Sequence, residues 1–238
     1  MLAVDASQST DPDEGELQRQ GYVEAFRSSM LHSAIHNGAL GQIAVIYFEW
    51  SGPTAQWIIV PWTIIGKPEQ AMAFAQRLDD RPSYRSSLGG TSISGAIDFS
   101  LHLLSGSPFT AMRQVIDISG DGNNNHGRSV MQARDEAVSQ GITINGLPII
   151  LKLSDEPRGI MSLDEHYRGC VIGGQGAFMV PVRERQQMAQ AIRTKLVREV
   201  ANVPARSLIM NVQGEARLNC QEEIIQGAID RDDSKHSE

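Results

Sequence analysis

Short β-branched runs alternate with stripes of helical period from Met1 to Val200, and this alternation restricts the fold more than any other feature. Met1–Asp5 is a short apolar run ending in a carboxylate. Asp11-Pro12-Asp13-Glu14 then reads as a helix start, with Asp11 as N-cap, Pro12 at the first helical position and Glu14 at the capping-box position. Val23, Phe26, Met30 and Ala34 continue that helix on one face, and Asn37-Gly38 should end it. Ile43–Trp50 and Ala55–Trp62 flank the turn Ser51-Gly52-Pro53-Thr54 and read as an antiparallel hairpin. Pro68–Leu78 reads as a helix and Asp79–Gly90 as a polar loop, after which Ile93, Ile97, Leu101 and Leu104 form a second stripe. Val115–Ser119 and Ile142–Ile150 suit buried parallel strands, and the Val130, Ala133 and Ala137 helix between them stops at Gly141. Ala177–Val182 reads as a last short strand, and Met188, Ile192, Leu196 and Val200 as a last helix. The pattern predicts an α/β layer fold: a mostly parallel sheet with one antiparallel edge strand, contributed by the hairpin.

Residues 1–201 form one domain on this reading. From Pro204 the character changes: residues 202–238 carry 4 basic and 7 acidic groups and few large apolar ones. They read as a polar C-terminal extension, partly helical around Glu222–Ile229 or disordered.

Charge and composition exclude several functions. With 21 basic against 28 acidic residues the chain is acidic, whereas a general nucleic-acid binder needs a basic face. No apolar run approaches the roughly 20 residues that span a bilayer. Cys170 and Cys220 are too few for a disulfide framework or a cysteine zinc site; one disulfide is possible, and free thiols are the expectation. None of His32, His36, His102, His126, His166 and His236 has a transition-metal spacing. There is no nucleophile elbow, Walker pattern or dinucleotide fingerprint. Asp121-Gly122-Asn123-Asn124-Asn125 opens like an EF-hand loop, but His126 and Gln132 stand where glycine and glutamate are needed. The asparagines read as a polar rim or a turn.

In open α/β sheets, function sits beyond the carboxyl ends of the strands. Three segments bring oxygen donors there: Asp5-Ala6-Ser7-Gln8-Ser9, Gly89-Gly90-Thr91-Ser92 and Gly120-Asp121-Gly122. Two carboxylates and three hydroxyls suit a hard divalent cation, Mg2+ or Mn2+, which prefers oxygen ligands in an octahedron. Ser7, Ser9 and Thr91 bind through hydroxyls, while Asp5 and Asp121 bind directly or hold coordinated water. Neutral hydroxyls donate weakly, so the cation stays electrophilic and keeps a position open for a partner's carboxylate. Asp117, Ser119 and Asn123 are candidates to orient the ligands. Asp117 serves equally well in a structural hydrogen bond or pairing unrelated to metal, and Asp5 and Ser7 could simply cap the following helix, although Asp11 already supplies a cap.

Asp5-Ala6-Ser7-Gln8-Ser9, Thr91 and Asp121 match the metal-ion-dependent adhesion site (MIDAS) of von Willebrand factor type A (vWA) domains. Within that superfamily the chain resembles the bacterial DUF1194 family. The resemblance rests on Glu49-Trp50-Ser51, Val60-Pro61-Trp62-Thr63, Gly90-Thr91-Ser92-Ile93, Ile116-Asp117-Ile118-Ser119-Gly120-Asp121-Gly122, Gly141-Ile142-Thr143-Ile144-Asn145-Gly146-Leu147-Pro148-Ile149 and Val171-Ile172-Gly173-Gly174, and covers roughly residues 1–201. It implies the three-layer, Rossmann-like vWA fold, with helices on both faces of the sheet and the metal at its top. It also implies divalent-metal-dependent binding of a protein partner, for which the open coordination position suits an Asp or Glu carboxylate. One departure stands out: the usual vWA loop has threonine before the aspartate, and here Gly120 precedes Asp121. No catalytic motif accompanies the metal site. The alternative is a metal-assisted hydrolase using a cation-bound water, with His126 or Asp117 as its base. The sequence as it stands has no basic n-region and reads as cytoplasmic; relatives often carry an upstream export signal, and with one the protein would be periplasmic or secreted.

Overall fold

The computed structural model describes residues 1–7, 12–81, 90–151, 161–201 and 220. The strands are β1 (Leu2–Asp5), β2 (Ile43–Trp50), β3 (Gln56–Ile65), β4 (Val115–Gly120) and β5 (Thr143–Pro148). They form one sheet in the order β3-β2-β1-β4-β5. Only the β2–β3 pair is antiparallel. β3 is the edge strand, the position where Pro61, which has no N–H to donate, is tolerated.

Alternate side chains of the strands enter two apolar layers. Leu2, Val4, Val45, Tyr47 and Leu147 pack with α1 (Pro12–Arg27), α2 (Ser29–His36), α3 (Pro68–Asp79) and α7 (Met188–Ala201). Ala3, Phe48, Ile116, Ile118 and Ile144 pack with α4 (Ile93–Ser105), α5 (Val130–Ser139) and the π-turn Tyr167–Val171, which continues α6 (Leu163–His166). The three-layer α/β fold expected from the sequence is therefore the fold observed.

Three local readings differ. The first helix is two helices, because Ser28 is extended and its hydroxyl accepts the Met30 N–H at 3.2 Å, capping α2. Apolar spacing runs straight through such a break. Residues 177–182 lie parallel to β5 as the isolated bridges Gly146↔Met179 and Ile149↔Val182. Pro148 and Pro181 each remove a ladder donor there. Cys170 and Cys220 form a disulfide, so neither is the free thiol expected. Apart from Cys220, the C-terminal extension lies outside the described residues, as does Asp11.

The topology places the site. β1 connects to β2 on one side, and the chain returns to β4 on the other, so the order reverses between β1 and β4. The crevice at the carboxyl ends of those two strands is where such sheets bind ligands. At the opposite end, β1 pairs only with Tyr47–Trp50 of the longer β2. A cavity of about 1030 Å3, lined by Met1, Val45, Trp62, Val115, Phe178 and Leu196 among others, opens below it.

Candidate metal centre

Asp5 ends β1 beside Gly120, the last residue of β4. Its carboxylate is buried, and its Oδ1 accepts the Ser7 N–H at 2.8 Å. The Asp121 N–H also donates to this carboxylate. Among the described residues Oδ2 has no hydrogen-bond partner. Burial, then the nearby Asp121 charge, push the Asp5 carboxyl up to about 7; the donors at Ser7 and Asp121 only partly offset this. Thr91 is buried, and its hydroxyl lies 3.5 Å from that of Ser7. The structure thus brings Asp5, Ser7, Thr91 and Asp121 to one place; Ser9 lies outside the described residues.

Gly120 explains itself here. A Cβ at this position would lie 2.8 Å from Asp5 Oδ2 and 3.0 Å from Asp5 Cβ. With no side chain at Gly120, the Asp5 carboxylate packs against bare backbone.

The donor set is chemically suited to a hard cation: a buried carboxylate with one oxygen lacking a hydrogen-bond partner among the described residues, a second carboxylate, and two hydroxyls. Among the described residues no three His, Cys, Asp or Glu side chains cluster as a metal site, so these hydroxyls are essential to any cation held here.

Asp117 and Ser119 face the other way, into the layer of α1 and α7. Asp117 forms a buried ion pair with Lys195, which also bonds Glu199 at 2.7 Å. Burial and the Glu199 charge raise the Asp117 carboxyl to about 7, opposed by Lys195. The Ser119 hydroxyl accepts from Gln18 Nε2 at 2.7 Å and Tyr22 OH at 3.3 Å. Asn123 donates to the Met161 carbonyl at 3.4 Å.

Sequence reasoning missed how the loop after Asp121 grips the loop that carries Thr91. The Asn125 side-chain oxygen accepts the Thr91 N–H at 2.8 Å, and the Thr91 carbonyl accepts from Asn125 N and His126 N at 3.0 and 3.1 Å. Asn124 Oδ1 accepts the Ser94 N–H at 2.9 Å in the first turn of α4. Its own N–H donates to His166 Nε2 at 3.2 Å. His166 is buried, and burial lowers it to about 4, so the ring is neutral and its Nε2 can accept. The run of three asparagines was visible in the sequence, but no spacing links it to His166. The His126 ring lies against Gly90, where it fills the space a Cβ would take and where a φ of +103° is strained for any side chain, and its Nδ1 sits 2.6 Å from Asn125 Oδ1.

Residues 1–204 match the family described as "Protein of unknown function (DUF1194)". The chain belongs to that family. No curated protein matches the DUF1194 chain. Among solved structures it is similar to the SpRpn10 VWA domain, with a TM-score of 0.55, 13% identity, and coverage of 82% of this chain and 93% of that one. The vWF domain of the type V pili tip protein Mfa5 from Porphyromonas gingivalis gives 0.54 at 9% identity, covering 87% and 96%. Proximal thread matrix protein 1 from the mussel byssus, solved with a zinc-occupied MIDAS motif, gives 0.56 at 11% identity, covering 82% of this chain. The DUF1194 chain spans only 44% of that protein's length. At these identities the likeness establishes the vWA fold and nothing finer. Among the described residues no helix is long and apolar enough to cross a membrane.

Proposed function

We propose that this DUF1194 chain is a divalent-metal-dependent protein-binding module. Asp5, Ser7, Ser9, Thr91 and Asp121 hold Mg2+ or Mn2+, and a partner's Asp or Glu carboxylate completes the coordination. The observation that carries this reading is the Asp5 carboxylate: buried, next to a second acidic residue, with one oxygen lacking a hydrogen-bond partner among the described residues and the other bonded to Ser7, whose hydroxyl lies 3.5 Å from that of Thr91. An uncompensated carboxylate in that setting is costly, and a bound cation removes the cost. The zinc-occupied MIDAS motif of the mussel protein supports the same reading by analogy of fold.

The hydrolase alternative gains no support. Of its two candidate bases, Asp117 pairs with Lys195, and His126 is turned onto Asn125 and Gly90. The Cys170–Cys220 disulfide favours a periplasmic or secreted setting over a cytoplasmic one, because cytosolic thiol systems keep such pairs reduced.

The test uses immobilised peptides carrying Asp or Glu and matched peptides carrying Asn or Gln. The reading expects acidic peptides alone to retain the protein in Mg2+, with release by EDTA and no retention of Asp5→Ala or Asp121→Ala. Retention that survives EDTA, or that ignores the carboxylate, overturns it.

A further inference from the structure

Thr91 reaches the candidate site from a loop, yet its main chain is fastened to another segment. Its N–H is taken by the Asn125 side chain and its C=O by the N–H groups of Asn125 and His126. Three residues on, Asn124 takes the Ser94 N–H, while Ser92 Oγ accepts the Gly95 N–H at 3.1 Å. Two of the orphan donors in the first turn of α4 are thereby satisfied, one of them from outside the helix. Asn124 is held in turn: its N–H is fixed by His166, and its amide donates to the Arg128 carbonyl at 3.3 Å. Arg128 is anchored by Asp98 on α4 and Glu136 on α5.

We propose that Asn124 and Asn125 are positioning residues that lock the Thr91 loop to the Asp121 loop, so that two ligands from distant parts of the chain move as one unit. The inference rests on the metal-site reading above and adds what sets the site's geometry. The physical requirement is strict, because ligand distances in a metal site tolerate only about 0.2 Å. The Ser92 N–H already ties this loop to the Ser51 carbonyl at 2.8 Å, and the bonds at the N–H and C=O of Thr91 itself fix the residue that carries the ligand hydroxyl. Outer-shell partners of this kind typically govern about 10- to 100-fold of metal affinity. Asn125 uses its side-chain oxygen, which aspartate retains and alanine removes. Asn124 acts one step further out, through the start of α4.

The experiment is a calorimetric titration of the whole chain with Mn2+, alongside amide exchange at Thr91 and Ser94 measured by NMR in EDTA. For Asn125→Ala the expected result is 10- to 100-fold weaker Mn2+ binding and faster exchange at Thr91. Asn125→Asp should recover both the protection and the binding. Asn124→Ala should expose Ser94 to exchange while leaving Thr91 largely protected. Should Asn125→Ala not fold, Asn125→Leu, of similar size and without an acceptor, gives the same comparison. Undiminished Mn2+ binding by the alanine variant, or no recovery by the aspartate variant, overturns the positioning role. If the unaltered chain binds neither Mn2+ nor Mg2+, the metal reading itself fails and the role falls with it; the exchange rates in EDTA still report whether the clamp exists.

Discussion

Gly120→Ala is the smallest change that probes the heart of the site. The new Cβ would meet Asp5 Oδ2 at 2.8 Å and Asp5 Cβ at 3.0 Å, short of ordinary contact at 3.4 Å by about 0.4–0.6 Å. Gly120 is not among the glycines with positive φ, so the objection is steric and not conformational. The carboxylate has little freedom to swing aside, because Ser7 and Asp121 N–H groups hold it, and its Cβ belongs to the central strand. Overpacking of this kind costs about 1–3 kcal/mol. The loss of glycine's freedom in the unfolded chain returns about 0.4–1 kcal/mol. A net loss of up to about 2.6 kcal/mol remains, about 1.3 kcal/mol at the midpoint, which for a domain of this size lowers the melting temperature by roughly 3–5 °C at the midpoint and about 10 °C at most. The displaced carboxylate should also weaken Mg2+ binding by about tenfold or more, given the narrow tolerance of metal–ligand distances. Thermal melts followed by circular dichroism in EDTA, with a parallel Mg2+ titration, measure both. A melting temperature that rises, together with unchanged Mg2+ affinity, would refute the claim that Asp5 is wedged against bare backbone at this position.

Two further predictions concern the supports of the site. His166 is neutral in the fold and titrates near 4, below its ordinary 6.5. Its contribution is therefore full above about pH 6.5 and is lost as pH falls toward 4, an amount on the order of 3 kcal/mol. Asp5 and Asp117, both raised, act oppositely, losing stability as pH rises between about 4 and 7. The measurement is therefore the difference in urea stability between the protein and His166→Gln. It should shrink from pH 7 to pH 4, and a constant difference would exclude the buried neutral ring. The Cys170–Cys220 bond closes a loop of about 50 residues. Its removal in Cys220→Ser should cost up to about 4 kcal/mol by loop entropy. Thiol titration of the denatured, unreduced chain should find no free thiol; two free thiols would contradict the pairing.

The layer order was legible because strand and helix periods are written into residues such as Ile116, Ile118, Ile93 and Ile97. The proposed ligand set could be named from sequence because Asp5 and Ser7 follow β1, Asp121 follows β4 and Thr91 precedes α4, segments that the topology gathers at one end of the sheet. Breaks made by one hydroxyl, as at Ser28, leave no trace in apolar spacing. Asp117 was ambiguous for a related reason: its partner Lys195 is 78 positions away, and a buried lysine on α7 looks in sequence like any exposed helix residue. The asparagine clamp depends on side-chain oxygens reaching backbone N–H groups of another loop, which spacing does not encode. The disulfide joins one cysteine in the domain to one in the polar extension, and composition could not choose between pairing and free thiols.

The central claim meets its most direct test in a calorimetric titration of the chain with Mg2+ and Mn2+ at pH 6 and pH 8. Asp5, with its carboxyl near 7 in the absence of a cation, must give up its proton to bind one. The account predicts one ion per chain, binding about tenfold tighter at pH 8 than at pH 6 with proton release at the lower pH, and no binding by Asp121→Ala. Silence with both metals at pH 8, or binding that Asp121→Ala leaves intact, would contradict it.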